Sequence, residues 1–169
     1  DKIRSSAAEL VAIAPDVIVA TSSPALAASQ HATRTVPIVF TSVVDPVGGG
    51  FVDSLTRPGG NTTGFVLFEY GLSGKWLELL KEIAPGVTRV AVLRDPTIAS
   101  GIGQFGAIQG AASTFGVEVI PLGVRESEEL ERAVATFARG PQDGLIVTTG
   151  ALTTVHRELI VALAARHKL

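Results

Sequence analysis

Short apolar runs rich in β-branched residues recur along this chain, each followed by a turn and then by a segment of helical periodicity. Val17-Ile18-Val19-Ala20, Ile38-Val39-Phe40, Val90-Ala91-Val92-Leu93 and Leu145-Ile146-Val147 are apolar throughout, with no polar residue in alternate positions. A strand apolar on both faces needs cover on both, which is the habit of parallel sheets between helical layers. Parallel neighbours joined through helices require right-handed crossovers, so the expected class is α/β: parallel sheets with flanking helices.

The spacing of Ile3, Ala7, Leu10, Val11 and Ala14 predicts an opening helix that stops at Pro15, because the residue before a proline avoids the helical region. Strands are expected over 16–20, 37–41, 63–67, 89–94, 117–122 and 144–149. Helices are expected over 24–33, 72–83, 102–115, 127–139 and 154–167, with a short one at 50–55 inside a glycine-rich stretch. Ser73 and Ser127 stand where N-caps belong, and Glu128 and Glu129 place negative charge in a first turn. A full capping box is missing there, since the third residue past Ser127 is Leu130. The helix at 72–83 divides the strands three and three, which predicts two lobes.

With 46% hydrophobic and 18% charged residues, 169 residues can bury a core. Net charge is −2 and the 14 Lys and Arg residues are scattered, so no basic stripe is available to neutralise a run of phosphates and nucleic acid is not an expected partner. Cysteine is absent, which excludes thiol chemistry and disulfides and leaves the compartment open. The longest apolar runs fall far short of the roughly 20 residues that span a bilayer. The opening Asp-Lys-Ile-Arg, in a chain without methionine, reads as an excised or processed piece of a longer protein.

Open parallel sheets bind ligands outside the carboxyl ends of their strands. The strands here lead into short hydroxyls, carboxylates, rings and helix starts: Thr21, Ser22 and Ser23; Ser42 and Asp45; Phe68 and Tyr70; Thr97; then Thr148, Thr149 and Gly150. Such groups hold a small polar solute by hydrogen bonds. The same residue types also cap helices, and either use accounts for any one of them.

Gly101 to Gly106, GIGQFG, matches the dinucleotide pattern by letter, but Asp95 to Ser100 separate it from the preceding strand, and no acidic strand end stands at the required distance beyond it. Gly48 to Gly50 and Arg57 to Gly60 lack the Lys-Ser/Thr that closes a phosphate loop and read as turns. His31, His156 and His167 have no metal-ligand spacing. No nucleophile, base and orienting group converge, so neither a catalytic residue nor a metal nor a cofactor is expected.

Three long segments carry a family resemblance: PIVFTSVVDPVGGGFVDSLTRPGGNTTGF, GKWLELLKEIAPGVTRVAVLRDP and GLIVTTGALTTVHRELIVALAARHKL. They resemble the bacterial ABC-transporter substrate-binding proteins of the ABC sub-bind type. The resemblance implies the type I periplasmic binding protein fold, two Rossmann-like α/β lobes closing on a solute in the cleft between them. Full members are longer, so residues 1–68 would be a partial first lobe and 69–169 a second lobe lacking its last elements. It also implies a periplasmic or cell-envelope location, and a permease and an ATPase as partners. The solute would be an amino acid, aromatic ones included, or a similar small polar molecule. Thr21, Ser22, Ser23, Ser42 and Asp45 match the first-lobe loops that hold amino or carboxylate groups. Phe68 and Tyr70 lie near the lobe crossing, and Thr97, Thr148, Thr149 and Gly150 match the second-lobe wall. The uncovered edges expected of a fragment predict a homodimer. A ligand-sensing regulatory domain of the same fold and a nucleotide- or sugar-handling enzyme are the alternatives.

Overall fold

The computed structural model describes residues 2–169, which fall into two compact units, one ending at Glu69 and the other spanning Tyr70–Leu169. Both are α/β, and every strand pair in them is parallel.

In the first unit α1 (Lys2–Ala12) and β1 (Ile18–Thr21) lead into α2 (Ser23–Ala32), β2 (Ile38–Val43) and β3 (Thr62–Val66), with sheet order β1-β2-β3. Ile18, Ala20, Ile38 and Phe40 lie on one sheet face and pack with Leu26 of α2 as the core. On the other face the outer strands are exposed and Val39 and Thr41 of β2 are half-buried, among the described residues. Val19 pairs with Val39 and Val39 with Thr63, two residues before Phe65, and Val19 and Phe65 are 64% and 75% exposed.

The second unit opens with one turn of 3-10 helix at Tyr70–Leu72, followed by α3 (Ser73–Ile83), β4 (Arg89–Arg94), α4 (Ala99–Ala111), β5 (Glu118–Gly123), α5 (Ser127–Phe137), β6 (Asp143–Val147), α6 (Ala151–Val155) and α7 (Arg157–His167). The sheet order is β5-β4-β6. As the central strand, β4 is covered on both faces, which its unbroken apolar run requires. Val90 and Val92 pack with Leu77 of α3 and Ile108 of α4. Leu93 packs on the other side with Leu130 and Val134 of α5 and with Ile160 and Leu163 of α7. The amino ends of β4 and β6 are joined by an ion pair from the half-buried Arg89 to a buried carboxylate, Arg89 Nη1 to Asp143 Oδ1 at 2.6 Å. The other oxygen of Asp143 accepts the Arg139 and Gly140 N–H groups at 2.7 and 3.1 Å, so both oxygens of the buried carboxylate are matched by donors.

Several local expectations are corrected. No helix forms at 50–55. The chain instead makes a tight turn in which the Gly49 N–H bonds to the Asp45 carbonyl and the Phe51 N–H to that of Pro46, both at 2.8 Å. The turn closes at Gly50 with φ of 72°, a conformation that stops helix growth and suits glycine. Neither Ser73 nor Ser127 is an N-cap: both are the first helical residue, behind Leu72 and Glu126. With the cap moved to Glu126, the third residue on is Glu129, and its carboxylate does reach back, to the Arg125 N–H at 3.0 Å. The last helical stretch is two helices, broken at His156. The hydroxyls of Thr153 and Thr154 donate to the Gly150 carbonyl at 3.0 and 2.9 Å, the kind of back-bonding that bends a helix. GIGQFG lies within α4, which starts at Ala99, three residues before the helix expected at 102–115.

Candidate functional site

In the first unit the residues singled out by their place after strands gather at the carboxyl edge of the sheet. The Ser22 N–H donates to the Thr41 carbonyl at 3.2 Å, tying the ends of β1 and β2. The Asp45 N–H donates to the Phe68 carbonyl at 2.8 Å, tying the segment after β2 to the one after β3. Thr21 and Ser42 are exposed, Ser22, Asp45 and Phe68 are half-buried, and Ser23 is buried as the first residue of α2.

This edge is conformationally strained. Ser22 has φ of 94° and ψ of 154°, a region that glycine alone occupies without cost. Ser42, with φ of 54°, lies where the β2–β3 register shifts, and Asp45 has φ of 41°. Five described non-glycine residues have positive φ, and three of them stand at this edge. Of the other two, Lys168 is the left-handed C-cap of α7 and Ala14 precedes Pro15. Each such residue costs about 1–3 kcal/mol, and such strain clusters at ligand clamps. The bulge at Ser42 turns its hydroxyl beside that of Thr41, with the two oxygens 3.4 Å apart. Asp45 orders the turn behind it, its Oδ1 accepting the Gly48 N–H at 2.7 Å.

In the second unit the corresponding residues hold the framework. The Thr97 hydroxyl and N–H both donate to Asp95 Oδ1, at 2.6 and 2.8 Å. Thr148 is buried and its hydroxyl donates to the Leu93 carbonyl at 3.0 Å, clamping β6 to β4. The Thr149 N–H donates to Gln104 Oε1 at 2.8 Å, and Gly150 is the N-cap of α6. The ring of Tyr70 lies against Gly103 of α4, where a Cβ would have no room.

Three residues in this unit escape a strand-end reading. Gln104 is fully buried and its Nε2 has no hydrogen-bond partner among the described residues, and the same holds for the Ser73 hydroxyl and Arg94 Nε. Gln104 is legible from spacing, since Gly101, Gln104 and Ile108 share the inward face of α4. Arg94, the last residue of β4, offers no such pattern. Two concave regions lie elsewhere: one of about 600 Å³ beside α5 and β5, another of about 360 Å³ between α1 and β1. Neither includes the strand-end loops.

Residues 1–169 match the family described as ABC transporter substrate binding protein. The chain belongs to that family. A Clostridioides difficile (strain R20291) protein called tyrosine-binding protein is 31% identical over 166 residues, covering 98% of this chain and 47% of its own length. The crystal structure of a conserved domain protein from Vibrio cholerae aligns with a TM-score of 0.86 at 28% identity, covering 98% of this chain and 55% of that one. A domain from Streptococcus pneumoniae, solved in complex with L-Trp, aligns with a TM-score of 0.88 at 23% identity, covering 99% and 56%, and supports the fold. The chain therefore spans about half the length of the substrate-binding proteins it matches. No helix among the described residues is long and apolar enough to cross a membrane.

Proposed function

We propose that this chain is the solute-holding portion of an extracytoplasmic substrate-binding protein of an ABC uptake transporter, located in the periplasm or at the cell envelope. Its ligand is a small polar solute of the amino-acid class, aromatic side chains included. The observation that carries this reading is the strained edge of the first unit, where Ser22, Ser42 and Asp45 hold costly backbone conformations. Such geometry presents hydroxyls and backbone dipoles to a ligand instead of burying them in caps. Membership of the family and the tyrosine-binding relative support the solute class. Solute binding without turnover is the proposed role, and in the intact system a permease and an ATPase receive the solute.

Thr21, Ser22, Ser42 and Asp45 are the proposed contacts of the first unit, with Ser23 beneath them and Phe68 beside them. Within the second unit, taken by itself, Thr148 and Thr97 act as framework, and Tyr70, Thr149 and Gly150 are the proposed contacts. As an isolated 169-residue chain, the molecule is also proposed to pair with a second copy across the sheet face that exposes Val19 and Phe65.

The test is calorimetric titration with thermal unfolding against tyrosine, phenylalanine, tryptophan and aliphatic amino acids. A true solute at 100 times its Kd adds about 2.7 kcal/mol of stability. A flat screen across the set, both for this chain and for a longer chain carrying it, overturns the reading.

A further inference from the structure

Two arginines bracket β4, and their surroundings differ in an informative way. Arg89 opens the strand with its guanidinium 5.0 Å from the centroid of Phe137, and it is paired with Asp143 and, at 3.7 Å, with Glu118. Arg94 closes the strand with its guanidinium 4.6 Å from the centroid of Phe105. No carboxylate among the described residues pairs with it. Its Nε is buried without a hydrogen-bond partner. The neighbouring Asp95 turns Oδ1 toward Thr97 instead, accepting both its N–H and its hydroxyl.

Arg94 is half-buried, and burying its charged Nε donor without a partner is costly. Stacking on a ring fixes the guanidinium plane but satisfies none of its five donors. At the amino end of the sheet the protein supplies the anion itself. At the carboxyl end, where parallel sheets receive ligands, it does not. A second unsatisfied donor, Gln104 Nε2, belongs to the side chain that holds Thr149 just past the end of β6.

We propose that Arg94 is a carboxylate-binding residue, its guanidinium pre-oriented by Phe105 to take the carboxylate of the solute through two parallel N–H bonds. The geometry suits a planar anion, because the fork of donors matches two carboxylate oxygens and the stacked ring keeps that fork in one plane. This inference rests on the solute-binding reading and adds to it a chemical requirement: the ligand carries a carboxylate.

Calorimetry with tyrosine, tyrosinamide and tyramine separates the two ideas. The expected result is that tyrosine binds at least tenfold more tightly than either analogue lacking the carboxylate, that R94Q erases this preference, and that R94K restores part of it. R94Q that folds and keeps the preference overturns the role of Arg94 while leaving solute binding intact. Wild-type protein that binds none of the three overturns both. A measurement independent of any variant is the Arg94 Nε–H resonance in a ¹⁵N spectrum titrated with acetate. It is expected to move with the added anion, and a resonance that stays in place at saturating acetate marks Arg94 as packing only.

Discussion

Ser22 holds a backbone conformation that costs about 1–3 kcal/mol, so replacing it with glycine should release more energy than the added freedom of the unfolded chain takes away. The expected outcome for S22G is a gain of about 1 kcal/mol, or a Tm about 2–4 °C higher by differential scanning calorimetry, together with weaker solute binding. S22A keeps the strain and should show no such rise. A lower Tm for S22G would mean that the side chain stabilises this edge more than the backbone destabilises it. Ser22, Ser42 and Asp45 stand out in the sequence because they come after strands, but nothing in the letters announces positive φ at residues other than glycine. That strain exists because the surrounding ladder bonds, such as Ser22 to Thr41, over-determine the backbone. Arg94 is inconspicuous for a related reason: a basic residue at a strand end is ordinary, and what sets it apart is a buried Nε with no hydrogen-bond partner among the described residues.

The glycines of α4 divide by the groups opposite them. A Cβ on Gly103 would collide with the Tyr70 ring and one on Gly101 with the Asp95 carbonyl, whereas Gly106 and Gly110 face open space. G106A and G110A should therefore each stabilise the protein by about 0.5–1 kcal/mol, the ordinary helix gain over glycine. G103A should destabilise it by about 1–3 kcal/mol through overpacking. Urea titration of the three variants checks this, and a stabilising G103A would show that the Tyr70 notch is not tight. Two of the three glycines in the dinucleotide-like string, Gly101 and Gly103, are thus packing positions. The central parts of the helices and strands are readable because apolar periodicity and continuous β-branched runs are local properties. Their ends are less so: Ser73 and Ser127 look like caps in sequence, yet the 3-10 turn at Tyr70–Leu72 and the bond from the Arg125 N–H to the Glu129 carboxylate start each helix at the serine. The helix expected at 50–55 fails for the same reason, its first turn having been taken by the Asp45 turn upstream.

A parallel sheet with a largely exposed face is unusual, and in the first unit that face exposes Val19 and Phe65. The isolated chain is expected to run as a dimer by light scattering, with V19K and F65K shifting it toward monomer. A wild-type monomer at high concentration would end that expectation, and a dimer indifferent to both changes would place the contact elsewhere.

Fold class, strand count and the absence of a basic stripe come from composition and local periodicity, because an apolar run must be covered on both faces whichever neighbours cover it. The residues placed after strands are likewise open to view, and with them the loops that gather at the sheet edge. Which of these groups are engaged in the framework, as Thr97 and Thr148 are, depends on partners that can lie far along the chain, Leu93 being 55 residues from Thr148. Strain at Ser22 and the unpartnered Nε of Arg94 among the described residues are likewise products of three-dimensional surroundings. Local pattern specifies what a segment can be, while satisfaction of its polar groups is settled only when distant segments meet.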